Sequence, residues 1–298
     1  MPNNVLTVGN VKIISLADTV IPANILDFIP GTKPGDWAKY SKEIDEKGAL
    51  RKPMNIAAFL VITPRHKVLV DAGIGPVPWP SSPHLKGTLL TKLKRAGFRP
   101  DEIDIVFATH VHLDHMGWCA VLDGDKLTRT FSKAKYVVPK TDWDSLFDTR
   151  NIVYRRRPKD VSERGVEILL WSKPLAERMA VFGNIEHTTR DGENIIPELK
   201  VMDTPGHSPG HQSVLLSSKG ERVFFPGDAI HMPPQLDVPG RIVGADVHPK
   251  LGAKTRARVA KWMESEGVLV ASTHFPAPGF GHVVRGKGRR YWRPLKTK

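Results

Sequence analysis

Thr109-His-Val-His-Leu-Asp-His115 sets three imidazoles and one carboxylate within six residues: His110, His112, Asp114 and His115. Packing alone does not account for that density. A buried imidazole needs a hydrogen-bond partner, and a buried carboxylate needs a positive charge. A pair of zinc-class cations supplies partners for all four groups at once. The apolar run Ile103, Ile105, Val106, Phe107 and Ala108 just before them reads as a buried strand. The ligands are therefore expected on a loop at a strand end, a common place for functional groups. The alternative is a His-rich surface patch, and it leaves the downstream residues unexplained.

Those residues lie in Thr204-Pro-Gly-His-Ser-Pro-Gly-His-Gln-Ser213, Phe225-Pro-Gly-Asp228 and Ser272-Thr-His274. In each case a short apolar run precedes the polar residue: Leu199 to Met202, Val223 to Phe225, and Val268 to Ala271. Loops at several strand ends, each offering a ligand, are how a scaffold assembles a site from distant sequence.

Taken together, the chain resembles the metallo-β-lactamase superfamily. The resemblance rests on the His-x-His-x-Asp-His core, the Gly-His-Ser-Pro-Gly-His turn, the Gly-Asp turn, the late Thr-His, and Val68-Leu-Val-Asp-Ala-Gly73, spanning about residues 56 to 284. It implies an α/β fold, an αβ/βα sandwich of two mixed sheets flanked by helices with metals at one edge. It also implies that His110, His112 and His207 form one metal site and that Asp114, His115 and His274 form another. Asp228 would bridge the two. Five neutral imidazoles and two carboxylates favour two zinc ions, with manganese, cobalt or iron as substitutes. Asp71, in a tight Asp-Ala-Gly turn, is read as structural, and His211 as a turn histidine or a support for a ligand.

The 298 residues are expected to form one metallo-β-lactamase-like hydrolase domain, with ordinary globular composition: 40% hydrophobic and 25% charged. No apolar run approaches the roughly 18 residues of a membrane span. The Met-Pro-Asn-Asn-Val start shows no secretory signal, and the single cysteine, Cys119, permits no internal disulfide. A cytoplasmic location is expected from both. Cys119 follows Trp118 in an apolar stretch and reads as a buried, inert thiol. The net charge is +13. Arg155-Arg-Arg157 and a basic tail over 285–298 contribute to it. Such charge suits an anionic partner, but without an RNA-recognition signature it reads as a solvated basic face and a frayed tail.

Residues 5 to 16 and 56 to 71 read as strands. Between them, 21 to 53 is punctuated by Pro and Gly and reads as a lid or as an arm packed on the domain or on a second subunit. Helices are expected over Gly87 to Ala96, over Lys140 to Phe147, around Leu175, Met179 and Phe182, and around Val259, Trp262 and Met263. The 148 to 192 segment is charged and irregular. Together with the arm it is the candidate surface for a homodimer.

A cation pair can bring a shared water's pKa toward neutrality and hold the resulting hydroxide as nucleophile, so no serine is needed. The expected reaction is hydrolysis of an ester-like bond in a small molecule: a lactone, aryl ester, β-lactam or phosphotriester. Asp114 is placed to orient the water or relay a proton, or simply to ligate. Departures from the motifs choose within the superfamily. His112 stands where oxygen reductases of this fold carry Glu. No late cysteine ligand exists, and only 24 residues follow His274, short of the helical domain of glyoxalase II. The Thr-Pro-Gly-His-Ser-Pro-Gly-His-Gln-Ser phrase is similar to homoserine-lactone lactonases. His231 stands where those carry Tyr, and with His274-Phe-Pro-Ala-Pro-Gly-Phe-Gly-His282 it resembles the methyl-parathion-hydrolase branch. His231 is thus either a donor to a developing oxyanion or a packing residue. Trp118, Phe275 and Phe280 flank ligand positions and read as pocket lining or as core. His282 reads as structural. A nucleic-acid phosphodiesterase of the same superfamily is the rival reading.

Overall fold

A computed structural model describes residues 4–76, 85–124, 126–147, 162–180 and 185–295. Arg155 to Arg157, Phe182, Lys296 and Lys298 lie outside them. The first half builds one seven-stranded sheet. Strands β1 (Val5–Val8), β2 (Val11–Ile21), β3 (Met54–Ile62) and β4 (Lys67–Val70) are antiparallel. Then β5 (Ile105–Phe107), β8 (Lys135–Pro139) and β9 (Ile185–Thr188) continue in parallel. Strands β6 (Ala120–Asp123) and β7 (Lys126–Arg129) form a separate hairpin. The second half builds another seven-stranded sheet in sequence order: β10 (Asn194–Ile196), β11 (Leu199–Asp203), β12 (Gln212–Ser218), β13 (Glu221–Phe225), β14 (Leu269–Ala271), β15 (Phe280–Gly286) and β16 (Arg289–Pro294). Only β13 and β14 pair in parallel. The expected α/β sandwich of two mixed sheets is therefore present.

The alternation of side chains along a strand explains the layers. On β3, Ala57, Phe59 and Val61 face the second sheet, where they meet residues such as Val214, Val223, Phe225 and Phe280. Ala58 and Leu60 face the helices instead. Both faces of β3 are covered, so it reads as an unbroken apolar run from Ile56 to Ile62. Helices α2 (Leu89–Arg95), α4 (Lys140–Phe147) and α5 (Glu163–Ala180) cover the first sheet through Leu89, Leu93, Leu146, Leu175 and Met179. Helix α6 (Pro249–Glu266) covers the second through Val259, Ala260 and Met263. The two short helices are α1 (Ile25–Phe28) and α3 (Leu113–Met116).

Three sequence expectations need correction. Residues 5 to 16 and 56 to 71 are each a hairpin, not one strand. Gly9, at φ +55°, turns the first, and the second turns after Ile62. The 285–298 tail is not frayed over its described part, because Arg289–Pro294 pairs with β15 as an edge strand. Charged edges of this kind discourage pairing with other chains. The helix expected around Leu175 and Met179 is present but starts earlier, as the 18-residue α5, so the 148 to 192 segment is less irregular than expected.

The 21–53 arm packs on its own chain. Ile25, Ile29, Trp37, Tyr40 and Ile44 bury themselves around Met232. The Tyr40 hydroxyl donates to Asp237 Oδ2 at 2.7 Å, and Arg289 donates to the Lys39 carbonyl at 3.1 Å. The arm is thereby fixed beside His231. Among the described residues, no helix is long and apolar enough to cross a membrane.

Candidate metal centre

The ligand loops start where strands of both sheets end. Strand β4 ends at Val70, and the next residue, Asp71, adopts φ +60°, a left-handed conformation that Asp tolerates better than most residues. That turn aims the Asp71 carboxylate at the loop after β5. There it accepts from the Thr109 backbone N–H at 2.8 Å and lies 2.9 Å from His115 Nδ1. The Thr273 hydroxyl reaches the same oxygen at 3.4 Å. Asp71 thus organises two ligand loops at once.

Asp142, on the first turn of α4, performs a similar task. Its buried carboxylate accepts from the Val111 backbone N–H at 3.1 Å and the Ser208 hydroxyl at 2.7 Å, as well as from the Gly210 N–H. It ties the first histidine loop to the turn carrying His207. Sequence reasoning missed Asp142, because an Asp in the first turn of a helix is ordinary and marks no site.

The structure brings every predicted ligand to one place. His110, His112 and His207 offer nitrogens within 4.8 Å of one another, and Asp114, His115, Asp228 and His274 form a second such group. Asp228 Oδ1 lies 3.2 Å from His115 Nε2 and 3.0 Å from His274 Nε2, while Oδ2 lies 3.3 Å from His207 Nε2 and 3.8 Å from His110 Nε2. Oδ2 also lies 3.2 Å from His274 Nε2, so the carboxylate stands between the two groups. His231 Nε2 also stands 3.3 Å from Oδ2, and a third group is His207, Asp228 and His231.

The buried ring nitrogens His110 Nε2, His112 Nε2 and His115 Nε2, and Asp228 Oδ1, have no hydrogen-bond partner. His112 Nδ1 and His207 Nε2 face each other at 3.0 Å. Of these, His110 Nε2, His115 Nε2 and Asp228 Oδ1 lie together around Asp228, and such unsatisfied atoms would be costly in a finished interior. Divalent cations satisfy them together, so these residues fit the two-metal set that the family implies.

The electrostatics divide the histidines: burial opposes protonation, yet Asp228, with Asp71 or Asp114, holds His115 and His274 above the ordinary histidine range. Burial, reinforced by neighbouring imidazoles, holds His110 and His112 well below the ordinary histidine range, so both are neutral donors of lone pairs. Burial pushes His231 down to about 4, even though Asp228 opposes it. Burial and His207 take His211 to about 3. His211 does not join a ligand group. Its Nε2 accepts the Asp228 backbone N–H at 2.9 Å, and its Nδ1 lies 2.8 Å from the Thr204 hydroxyl. Gly227, between them, has φ +52°, and a Cβ there would sit 2.6 Å from His211 Nε2, so only glycine fits.

The centre forms one wall of a cavity of about 320 Å³. Its lining includes His112, Asp114, His207, Asp228, His231 and His274 on one side. The arm supplies Ile21, Pro22, Ala23, Asn24, Asp27 and Phe28, joined by Met54, Arg164 and Ala245. Trp118, Phe275 and Phe280, expected as lining, are not on this wall. Trp118 donates its indole N–H to Asp18, Phe275 packs against Trp292 at 4.9 Å, and Phe280 packs against Phe59 at 5.8 Å. Cys119 is buried as expected, with its thiol pushed up by desolvation. His282 Nδ1 lies 3.1 Å from the Gly267 carbonyl, consistent with a structural part.

Residues 51–285 match the model of the metallo-beta-lactamase superfamily, and the chain belongs to that superfamily. Among curated relatives, an N-acyl homoserine lactonase of Bacillus cereus is 23% identical over 132 residues, covering 44% of this chain and 40% of the relative. N-acyl homoserine lactonase AiiA of Bacillus thuringiensis subsp. kurstaki is 20% identical over 184 residues, covering 61% and 60%. The chain thus spans less than two thirds of the length of these relatives. Among solved structures, the dizinc quorum-quenching lactonase AidC, bound to its homoserine product, superposes with a TM-score of 0.83 at 22% identity, covering 99% of this chain and 97% of its own. AbOPH, a hydrolase in the beta-lactamase superfamily, gives 0.83 at 25% with the same coverage. These likenesses establish the fold along nearly the whole chain. Within that fold, the described residues bring together His/Asp groups that could hold divalent cations.

Proposed function

We propose that this chain hydrolyses the ester bond of a lactone, or of a related small aryl ester or phosphotriester, at a centre of two zinc-class cations. The observation that carries the reading is the set of buried, unpartnered ligand atoms facing a cavity whose opposite wall is largely apolar. About 320 Å³ is at the lower end of small-molecule sites and suits a compact ring with a short acyl chain better than a polymer. Lactonases among the relatives and structural neighbours agree with a lactone.

His110, His112 and His207 would hold one cation and Asp114, His115 and His274 the other, with Asp228 between them. When bound, such a pair supplies Lewis acidity and activates water near neutral pH. The chain's own residues do the rest. Ile21, Pro22, Ala23, Phe28 and Met54 bind the apolar part of the substrate and exclude bulk water. Neutral His231, which lines the cavity with Nε2 3.3 Å from Asp228 Oδ2, donates to the oxygen on which charge develops. Asp114 is the least buried of the ligand carboxylates, with Oδ2 at 3.6 Å from both His115 Nε2 and His274 Nε2. It holds the proton released at the site and passes it to the leaving oxygen.

The test is turnover of a matched panel by metal-quantified protein: an acyl-homoserine lactone, a simple γ-lactone, a p-nitrophenyl ester, a phosphotriester, a cephalosporin and bis-p-nitrophenyl phosphate. Chelator-sensitive ring opening or ester cleavage supports the reading and ranks the substrates. Turnover of the phosphodiester alone would replace it with nucleic-acid processing, for which the charge of +13 would then be an aid. Turnover of the cephalosporin alone would replace it with β-lactam hydrolysis.

A further inference from the structure

The ring nitrogen of His207 opposite the metal group faces a carboxylate that no motif predicted. Asp246 Oδ1 lies 3.3 Å from His207 Nδ1, and Asp246 Oδ2 accepts from Arg256 Nη2 at 2.8 Å. All three side chains are nearly inaccessible, with Asp246 at 0% and Arg256 at 1% exposure. A buried charge pair gives weak evidence for stability on its own account, because desolvation offsets attraction. This pair has a ligand histidine at its end, which suggests a use.

The surroundings fix the carboxylate closely. Val247 N–H donates to the His207 carbonyl at 2.9 Å, and His248 N–H to the Gly206 carbonyl at 2.9 Å. The Thr255 hydroxyl donates to the Pro205 carbonyl at 2.6 Å. The start of α6 is thereby stitched to the turn that carries His207. A Cβ on Gly252 would stand 2.3 Å from Asp246 Oδ2, and one on Gly206 would stand 2.3 Å from the Gly252 nitrogen. A side chain at either glycine would therefore displace the turn, the helix or the carboxylate.

We infer that Asp246, held by Arg256, is a positioning residue for His207. An ionised carboxylate only accepts, so His207 Nδ1 carries the proton and Nε2 is left with its lone pair directed at Asp228 and His112. The pair thus fixes both the tautomer and the ring plane of one ligand, that of the three-histidine group. The arrangement also divides labour with Asp71, which faces His115 of the other group at 2.9 Å. Each metal group has its own buried carboxylate behind one histidine.

This inference rests on the two-metal reading, and its test separates the two. Zinc affinity is measured by chelator competition on wild type, Asp246→Asn and Gly252→Ala, alongside unfolding of the metal-free proteins. Gly252→Ala keeps both charges and favours the helix, yet drives a methyl into the carboxylate. In both variants the affinity of one zinc should fall about 10- to 100-fold, as it does when such a support is lost. The second zinc should stay within about threefold, since its ligands do not touch Asp246. Should Asp246→Asn fail to fold, Gly252→Ala decides. Unchanged affinity for both zincs, or equal loss of both in step with metal-free stability, would overturn the inference. A wild type that binds no zinc would instead overturn the two-metal reading.

Discussion

Replacing His211 by leucine isolates the support beneath Asp228. Leucine fills roughly the same space but cannot accept the Asp228 backbone N–H, now bonded to His211 Nε2 at 2.9 Å. The Thr204 hydroxyl loses Nδ1 but keeps Ser213 at 2.8 Å, so it adds little to the cost. One buried N–H left without an acceptor costs about 1–3 kcal/mol. At roughly 2.1 cal/mol/K per residue, unfolding this chain carries an entropy of about 0.6 kcal/mol/K. The metal-free Tm should therefore fall by about 2–5 °C. The metal-loaded protein should fall further, because the loosened residue is the carboxylate placed between both cations. Scanning calorimetry of the two forms reads both effects. His211→Gln, which restores an acceptor, should recover part of each loss. A leucine variant with unchanged Tm in both forms, or with the same drop as the glutamine variant, would refute the reasoning.

Other perturbations address the cavity and the arm. His231→Ala should keep its full metal content while kcat falls about 100-fold, the scale of losing one donor to a developing oxyanion; unchanged kcat would make His231 a packing residue. Phe28→Ala removes the ring standing 5.5 Å from His231, and it should raise KM for longer acyl chains by about tenfold through lost apolar burial. Equal effects on short and long chains would show that the ring does not line the substrate's path. Tyr40→Phe removes the hydroxyl that holds the arm to Asp237. It should cost about 1 kcal/mol and raise proteolytic cleavage within residues 21–53; a protease pattern identical to wild type would show that the arm is held by its apolar cluster alone.

The convergence of the seven His and Asp residues was legible in the sequence because each stands just after an apolar run, and core packing does not call for imidazoles and carboxylates at that density. The sandwich was legible from the resemblance, and the helix from Lys140 to Phe147 was read with its observed bounds. The hairpins were not. Gly9-Asn10 was a turn signal between two apolar stretches, but Val5 to Leu16 was read as one continuous run. The cavity wall was misread for a different reason. Trp118, Phe275 and Phe280 are neighbours of ligands along the chain, yet Phe275 and Phe280 are buried against Trp292 and Phe59, and the half-buried Trp118 turns its indole N–H to Asp18. The wall comes instead from the arm, which is far from the ligands in sequence. Asp142, Asp246 and Arg256 were invisible for the same cause. A buried carboxylate is recognisable only when its partners are known, and the pairing of Asp246 with His207 joins segments brought together by the docking of α6.

The most direct test of the account is metal titration of chelator-stripped protein, following lactone or ester turnover against equivalents of zinc added. Turnover should be absent from the stripped chain, should rise to a plateau at about two equivalents, and should not be restored in Asp228→Ala, which loses the carboxylate lying within 3.8 Å of histidines of both groups. Full turnover without metal, a plateau at one equivalent, or two tightly held zincs in Asp228→Ala would contradict it.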